Sequence, residues 1–387
     1  MADKRLLVAY MGGFIGPLAG NTILALLAPL GETFQVGDPE ILLSIPVYMV
    51  PFVIFQLFSG TVSDLIGRKV LAASGFLIYS VGSFFCGWAG TLPIFLGGRF
   101  IQGLGFAFVT PVLHAIVGDY TRHDSRGVSM GIFGAATAAA VSSGPLIAGF
   151  LGKVDWRLTF YLIAGLAVLV SVAIQLAFRG KEPATAVHPR AMKTSVREIA
   201  TKPSVITVCA AGFLTFFGFI GVISYTSAAL KDPPFSYDTL TVGAILFSGG
   251  IGGVFISPLA GLLVDTIGRF RTAMYGYVIT SFGLLILLFC NDVWQFAGGM
   301  VVVGCASSMI WASLLTLTVE IVPERRGAVS SLFNSSRFGG YAISPAIFGM
   351  FYDYTGFRSI FLVAVALSFL GIAVVLLLKR LLTQNGS

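Results

Sequence analysis

Residues 60–68 read Gly-Thr-Val-Ser-Asp-Leu-Ile-Gly-Arg, and residues 261–269 read Gly-Leu-Leu-Val-Asp-Thr-Ile-Gly-Arg. The second stretch repeats the first at a spacing of 201 residues, with one Asp, one Ile, one Arg and both Gly in register. The same spacing relates Asp119 to Glu320. The chain therefore consists of two halves that share one order of elements.

The composition is typical of a membrane protein. Of the 387 residues, 56% are apolar and only 11% are charged, and the mean hydropathy is +0.91. A soluble domain carries about 25% charged residues and could not bury this much apolar surface. A bilayer accommodates it, because lipid is itself an apolar solvent. The 47 glycines fit as well, since glycine lets membrane helices approach one another closely.

Twelve apolar stretches are each long enough to cross a bilayer as a helix. About 20 residues suffice, because a helix rises about 1.5 Å per residue and the hydrocarbon core is about 30 Å thick. The first stretch is too long for the apolar part of a signal peptide, so we expect a continuous, uncleaved helix. The predicted spans are 6–30, 40–63, 70–90, 92–118, 127–151, 157–178, 203–229, 239–264, 272–290, 293–319, 328–352 and 357–378.

A polar segment divides the chain into two parts. Residues 179–202 are basic and contain two prolines, as a linker does, and Ser195–Ala200 is the place for a short surface helix. We predict an N-terminal bundle over 1–178, a cytoplasmic linker over 179–202 and a C-terminal bundle over 203–387. The predicted fold class is an all-α membrane protein with twelve transmembrane helices in two pseudo-symmetric six-helix bundles.

The basic residues predict the orientation of the chain. Of the 24 Lys and Arg residues, 18 fall in segments on the side of the N-terminus, four fall in the opposite loops, and Arg99 and Arg337 lie inside spans. Loops rich in Lys and Arg stay in the cytoplasm. We therefore expect a multi-pass protein of the cell (inner) membrane with both termini cytoplasmic. The net charge of +7 is explained by these loops and indicates no nucleic-acid partner.

The repeated stretch resembles the signature G-x-x-x-D-R-x-G-R-[RK] that the major facilitator superfamily carries between its second and third helices. The first copy ends in Arg68-Lys69 but has Leu65 where the family usually has Arg, and in the second copy Phe270 interrupts the basic pair. The resemblance covers essentially the whole chain. It implies two parallel six-helix bundles with a solute site at the membrane midplane between them, and hence transport of a small molecule.

The same signature implies a gate on the cytoplasmic side. Glycines permit a tight turn, and the carboxylate can accept hydrogen bonds from loop groups or a helix N-terminus. The arginines can pair with Asp119 or Glu320 on the neighbouring loop, and such bonds must break in every transport cycle. The predicted gate residues are Gly60, Asp64, Arg68, Asp119, Asp265, Arg269 and Glu320.

The fourth span carries a second motif, Arg99-Phe-Ile-Gln102-Gly103. It resembles the R-x-x-Q-G motif shared by proton-coupled members of the superfamily. That resemblance implies that Arg99 takes part in proton coupling.

A third motif lies in the fifth span, where Gly144, Pro145 and Gly149 resemble part of the G-x-x-x-G-P-x-x-G-G motif of the antiporter, or exporter, branch. Ala140 and Ala148 replace two of its glycines. The Gly-Pro pair is expected to bend the helix and to let it pack closely on its neighbours. A packing kink without any bearing on the direction of transport is the alternative explanation.

Polar side chains inside the spans predict the solute site, because such groups are costly in a membrane and mark function. On the fourth and eleventh spans they follow one stripe each at 100° per residue, and we expect both stripes to face the central cavity. For any single one of them, packing between helices is the alternative. The predicted substrate-binding residues are Arg99, Gln102, His114, Asn334, Arg337, Tyr341 and Asn21. Weaker candidates are Tyr48 and Gln56 of the second span, Tyr225 of the seventh and Trp311 of the tenth.

The charges inside the spans predict the class of solute. No Asp or Glu falls in the middle of a predicted span, whereas Arg99, Arg337 and His114 do. Positive groups in a cavity of low dielectric constant favour neutral or anionic solutes over cations. His114 is the mid-span group whose unperturbed pKa, about 6.5, suits proton coupling near neutral pH.

We therefore expect a secondary active transporter that works by alternating access and exports a neutral or weakly acidic drug or metabolite in exchange for protons. An organic-anion exchanger or uniporter that uses Arg99 and Arg337 is the alternative, and a non-transporting membrane sensor is a further one. We expect no enzyme, because the sequence has no H-E-x-x-H motif and no pair of mid-span carboxylates. The expected partners are a small-molecule substrate, protons and membrane lipid, for a monomer without cofactor or metal, since the four cysteines match no metal spacing.

Overall fold

The computed structural model describes residues 3–121, 126–178, 199–322 and 326–384, and every regular element in these ranges is a helix. Most of the predicted linker, including the start of its expected surface helix, lies outside the described residues. The α-helices are α1 (Lys4–Leu18), α2 (Leu27–Phe34), α3 (Asp38–Leu42), α4 (Ser44–Ile66), α5 (Arg68–Trp88), α6 (Leu92–Tyr120), α7 (Arg126–Gly152), α8 (Arg157–Ala177), α9 (Pro203–Lys231), α10 (Thr239–Ile267), α11 (Arg269–Leu288), α12 (Val293–Glu320), α13 (Arg326–Thr355) and α14 (Phe357–Gln384).

The first predicted span is not one helix, so the expectation of a continuous helix over 6–30 is wrong. Helix α1 ends at Leu18, a 3₁₀ turn covers Thr22–Ala25, and α2 begins at Leu27. Pro17 lies in the last turn of α1 and Gly20 follows it. Proline and glycine both weaken a helix at this point, because proline lacks an amide donor and glycine adds backbone freedom. The break leaves carbonyl groups that need other partners.

Ten helices of the described ranges are long and apolar enough to cross a membrane. The remaining two predicted spans correspond to the broken first span and to α13. Helix α1 has 15 residues, which is too short alone, and the middle of α13 is polar through Asn334, Ser335, Ser336 and Arg337. A helix this polar tends to have protein or a cavity beside it, because lipid cannot satisfy its side chains.

The chain forms two compact units. Unit 1 comprises Met1–Val187 and Asp238–Ala244, and unit 2 comprises His188–Tyr237 and Ile245–Ser387. In unit 1, α1 packs against α6, α7 and α8, and α5 packs against α6 and α8. In unit 2, α9 packs against α12, α13 and α14, and α11 packs against α12 and α14. These pairs correspond one to one, so the repeat in the sequence is also a repeat in packing.

A cluster of four aromatic rings occurs in each unit at equivalent positions. The positions are Phe34, Phe95, Trp156 and Phe160 in unit 1 and, 201 residues further on, Phe235, Phe296, Phe357 and Phe361 in unit 2. The contacting ring centroids lie 5.1 to 6.0 Å apart, mostly edge to face. This arrangement suits the ring quadrupoles, and such large rings contribute strongly to a core. The clusters fix the helix ends opposite the α4–α5 and α10–α11 turns.

The two turns of the repeated stretch have the same backbone geometry. Gly67 has φ 91° between α4 and α5, and Gly268 has φ 89° between α10 and α11. Residues with a Cβ atom rarely adopt a positive φ of this size, so both positions require glycine. Arg68 and Arg269, the next residues, are thereby placed at the first turn of a helix in each unit.

Candidate functional site

Two equivalent ion pairs lie at the helix ends that carry these turns. Arg68 of α5 pairs with Asp119 of α6 in unit 1, and its guanidinium also donates to the carbonyl of Ala115 at 3.1 Å. Arg269 of α11 pairs with Glu320 of α12 in unit 2 at 2.7 Å. Both are the pairs that the sequence predicted. The side chains are partly exposed, so each pair is accessible to water and contributes little to stability.

The other predicted gate residues form no ion pair within the part of the chain that the structure describes. Asp265 has an exposed side chain near the end of α10. Gly60 and Asp64 lie near the end of α4, and their side chains are outside the described part of the chain. The role of all seven residues as a gate stays a prediction.

The side chain of Arg99 is completely buried in unit 1 and binds the break in the first span. One terminal nitrogen donates to the carbonyl of Ala19 at 3.1 Å and to Oε1 of Gln102 at 2.5 Å. Its Nε donates to the carbonyl of Ser44 at 3.4 Å, and the ring of Tyr48 lies 4.3 Å away. The carbonyl end of a helix is partially negative. Arg99 therefore neutralises the end of α1 and holds it against α4 and α6.

The rest of the Arg99 motif also serves packing. Gln102 is completely buried and donates to the hydroxyl of Ser83 at 2.7 Å. At Gly103 the backbone of α6 touches the backbone of α4 at Tyr48, which leaves no room for a Cβ atom. The motif thus joins three helices of unit 1. A role of Arg99 or Gln102 in binding or proton coupling stays a prediction that this geometry does not require.

His114 lies three turns of α6 beyond Gln102 and has an exposed side chain. Its ring lies 4.5 Å from the ring of Phe133, and its Nδ1 is 2.8 Å from the carbonyl of Thr110. A carbonyl oxygen only accepts hydrogen bonds, so Nδ1 carries the proton.

Arg337 of α13 lies among aromatic rings of unit 2. The carbon of its guanidinium is 4.2 Å from the ring centroid of Trp311, 4.3 Å from that of Phe338 and 5.0 Å from that of Phe216. Its Nε is buried without a hydrogen-bond partner. Among the described residues, Arg337 forms no ion pair.

The three remaining predicted binding residues have different environments. Asn334 is partly exposed on α13, one turn before Arg337. Tyr341 is buried, and its ring centroid lies 6.5 Å from that of Phe338. Asn21 is buried at the break of the first span. Asn334 and Tyr341 therefore share the region of Arg337, whereas Asn21 shares that of Arg99.

The predicted exporter motif forms a close helix crossing. Gly144 meets the carbonyl of Leu18 across α1, where an added Cβ would lie 2.6 Å away. Gly149 touches the backbone of Thr239, the first residue of α10, whose hydroxyl donates to the carbonyl of Gly149 at 3.1 Å. Pro145 lies inside an uninterrupted α7. The small residues of the motif thus let α7 contact two neighbours directly within unit 1.

Next to this helix crossing lies an ion pair that the sequence did not predict. Lys153, just after α7, binds Asp238, just before α10, at 2.5 Å. The sequence counted Lys153 only as an outer-loop charge, and no local pattern links it to a residue 85 positions away. The Lys153 ammonium and the Thr241 hydroxyl beside the Asp238 carboxylate lower the pKa of Asp238 to about 2.

This pair should contribute only slightly to thermal stability, because both side chains are nearly half exposed. Since the pKa of Asp238 is lowered on folding, its contribution is present above about pH 4 and is lost as the pH falls towards 2. We expect Lys153→Met to lower the melting temperature by less than about 2 °C at pH 7, and the difference to vanish at low pH. Lys153→Arg is the control, and a difference that persists at pH 2 would contradict this assignment.

Residues 127–131 read Gly-Val-Ser-Met-Gly, the spacing of a serine-hydrolase nucleophile turn. In such enzymes the serine lies in a sharp turn between a strand and a helix. Here the five residues lie within the continuous helix α7. This motif therefore lacks the strand-to-helix turn in which such a serine is catalytic.

Comparison with known proteins agrees with this architecture. The family model described as Major Facilitator Superfamily matches residues 9–232 and 208–385, which is almost the whole chain. The chain belongs to the major facilitator superfamily. The overlapping second match begins at residue 208, inside α9 of unit 2, and continues through the second half of the chain, as expected for a duplicated half.

Several superfamily members resemble the chain over nearly all of its length. The quinolone resistance protein NorA of Staphylococcus aureus strain COL is 21% identical over 98% of this chain and 97% of its own. The multidrug efflux protein YfmO of Bacillus subtilis strain 168 is 24% identical over 96% and 91%. The uncharacterized MFS-type transporter YceJ of the same strain is 23% identical over 85% and 84%.

A solved superfamily structure has the same fold. It is the crystal structure of a bacterial homologue of the human lysosomal transporter Spinster, with a TM-score of 0.79 at 17% identity over 100% of this chain and 99% of the other. This likeness shows the all-α fold, and the family model shows an integral membrane transporter.

Proposed function

We propose that this transporter exports a neutral or weakly acidic small molecule in exchange for protons, by alternating access. The observation that carries the solute class is Arg337, a positive group without an ion pair among the described residues. Every Asp or Glu on the ten long helices and on α13 lies within three residues of a helix end. A cationic solute would meet repulsion at Arg337 and no attracting carboxylate nearby.

The two ion pairs at the turn ends support a gate that opens and closes. Arg68–Asp119 and Arg269–Glu320 are solvent-accessible pairs that can form and break at low free-energy cost. We place these helix ends, and both termini, in the cytoplasm, because most Lys and Arg residues lie on this side. The protein acts as a monomer in the cell membrane in this proposal. The printed names of NorA and YfmO, which concern resistance and efflux, support export as the direction.

Proton coupling in this proposal depends on His114. An exposed imidazole can take up and release a proton near neutral pH in exchange with water or solute. We expect a pH gradient to accelerate flux of a neutral or weakly acidic probe into proteoliposomes about tenfold. His114→Gln should remove this acceleration and keep the flux seen without a gradient.

A histidine in the predicted linker provides the control. His188→Gln removes the same kind of side chain from the linker that the sequence predicts, and its flux should respond to the gradient as the unchanged protein does. If His114→Gln responds to the gradient as well, coupling through His114 is excluded.

An organic-anion exchanger or uniporter is the second candidate, and the same Arg337 observation favours it. An exchanger needs an anion on the far side of the membrane and ignores a pH gradient, whereas a uniporter needs neither. Flux measured with and without internal anion, at equal pH on both sides, separates these mechanisms from proton-coupled export.

A further inference from the structure

Arg337 lies in an aromatic box, which we define as Phe216 of α9, Trp311 of α12 and Phe338 of α13. The ring of Phe216 is 5.5 Å from that of Trp311 and 6.0 Å from that of Phe338, so Phe216 contacts both other rings as well as the guanidinium. The ring faces attract the cation through their quadrupoles. Three helices of unit 2 thus converge on one positive group.

The aromatic box does not fully compensate the charge of Arg337. Aromatic faces offer no acceptor to an N–H group, and Nε remains buried without a partner. A buried polar group without a hydrogen bond is unfavourable and rare in proteins. Arg99 provides the contrast, because its guanidinium donates to two backbone carbonyls and an amide. Arg99 is fully buried and leaves only one terminal nitrogen without a partner, whereas Arg337 is partly buried, leaves Nε without one and faces aromatic rings. Arg337 is therefore the arginine with donors available to a solute.

The internal repeat indicates that Arg337 is not needed for packing. The residue of unit 1 that corresponds to Arg337 is Thr137, 200 residues earlier. The residue that corresponds to Trp311 is Thr110, 201 residues earlier. The hydroxyls of both threonines donate to carbonyls of their own helices, at 3.0 Å for Thr137 and 3.5 Å for Thr110. The same helix pairs therefore pack with two small residues in one unit, and the arginine–tryptophan pair is particular to the other.

We propose that the aromatic box and Arg337 bind the carboxylate of an aromatic acid, which names the solute class of the transporter proposed above and rests on that function. The planar guanidinium can donate two parallel hydrogen bonds to a carboxylate. The rings surround the guanidinium but offer no oxygen acceptor, so its N–H groups can donate to the carboxylate. The aromatic body of the solute then stacks beside Trp311 and Phe338.

The test is equilibrium binding to the full chain in lipid nanodiscs, with 2-naphthoate as the probe and neutral 2-naphthamide as its near-isosteric control. We expect the acid to bind about ten to a hundred times more tightly than the amide, as charged hydrogen bonds imply. Arg337→Gln should abolish that difference by weakening only the acid. Trp311→Leu should weaken both compounds.

Two further variants are controls, one for the charge of Arg337 and one for its position. Arg337→Lys retains the charge without the planar fork, so we expect an affinity for the acid between those of the unchanged protein and Arg337→Gln. Arg358→Gln removes an exposed arginine of the same unit and should bind the acid normally. Equal affinity for acid and amide in the unchanged protein, or unaltered acid binding in a folded Arg337→Lys or Arg337→Gln protein, would overturn the assignment.

Flux assays separate this inference from the proposed function. If neutral solutes move through the unchanged protein but naphthoate does not bind, the aromatic-acid site is wrong and export stands. If naphthoate binds through Arg337 but neither it nor any other solute crosses the membrane, the site stands and the transport proposal fails.

Discussion

Asp119→Arg is expected to reduce solute flux about tenfold while the protein still folds. The change replaces the attraction between Arg68 and Asp119 by repulsion between two cations at the same helix ends. Attraction lost and repulsion gained are each worth up to about 1 kcal/mol for partly exposed charges, which together correspond to roughly tenfold. Folding tolerates a change of this size, but a gate that must close in each cycle does not. Flux into proteoliposomes measures the effect.

The matching reversal is the control for the first pair. Arg68→Asp combined with Asp119→Arg restores opposite charges in exchanged positions and should recover much of the flux. Arg269→Asp with Glu320→Arg provides the same comparison in unit 2. Normal flux in each single variant would remove these pairs from the transport cycle.

Gly103→Ala is expected to destabilise the protein by about 3 kcal/mol. The added methyl group would overlap the backbone of Tyr48, so α4 and α6 must separate. Overpacking of a close contact typically costs about 1–3 kcal/mol, and here the neighbour is backbone, which cannot rotate away. The separation also disturbs the Tyr48 ring beside Arg99. Thermal unfolding in detergent, followed with flux, measures the loss.

Gly97→Ala is the matched control on the same helix. A Cβ atom at Gly97 meets no atom within 4 Å. Alanine is the better helix former by about 1 kcal/mol, so this variant should be as stable as the unchanged protein or slightly more stable. If the Gly103→Ala and Gly97→Ala proteins have the same melting temperature, the close crossing of α4 and α6 is contradicted.

Much of the fold could be predicted from the sequence because the internal repeat and the apolar spans recur at regular spacings. The spacing of 201 residues predicted the duplication, and it placed Asp119 and Glu320 at equivalent positions, where the structure pairs them with Arg68 and Arg269. The equivalent aromatic clusters obey this register too, although the sequence analysis did not use them. Hydropathy located the helices, but an average over a whole span did not reveal the break after Leu18, although Pro17 and Gly20 beside it are a local signal for one.

The site was less predictable, because helical periodicity gives the direction of a side chain but not its neighbour. Arg99 and Gln102 share a stripe with His114, yet the structure buries the first two among α1, α4 and α6 and exposes the third. Arg337 was correctly placed inside a span, but two of its three rings belong to other helices. Such convergence depends on tertiary packing, which no local pattern records.

The break in the first span makes the two copies of one ancestral element mechanically different. In unit 2 the equivalent helix, α9, runs for 29 residues without interruption and behaves as a rod. In unit 1 the same element contains a joint, where the buried carbonyl of Ala19 accepts a hydrogen bond from Arg99. A rod bends only by losing hydrogen bonds of its own, whereas a joint pivots without that loss. Gene duplication thus left the molecule with one stiff and one jointed version of its first helix.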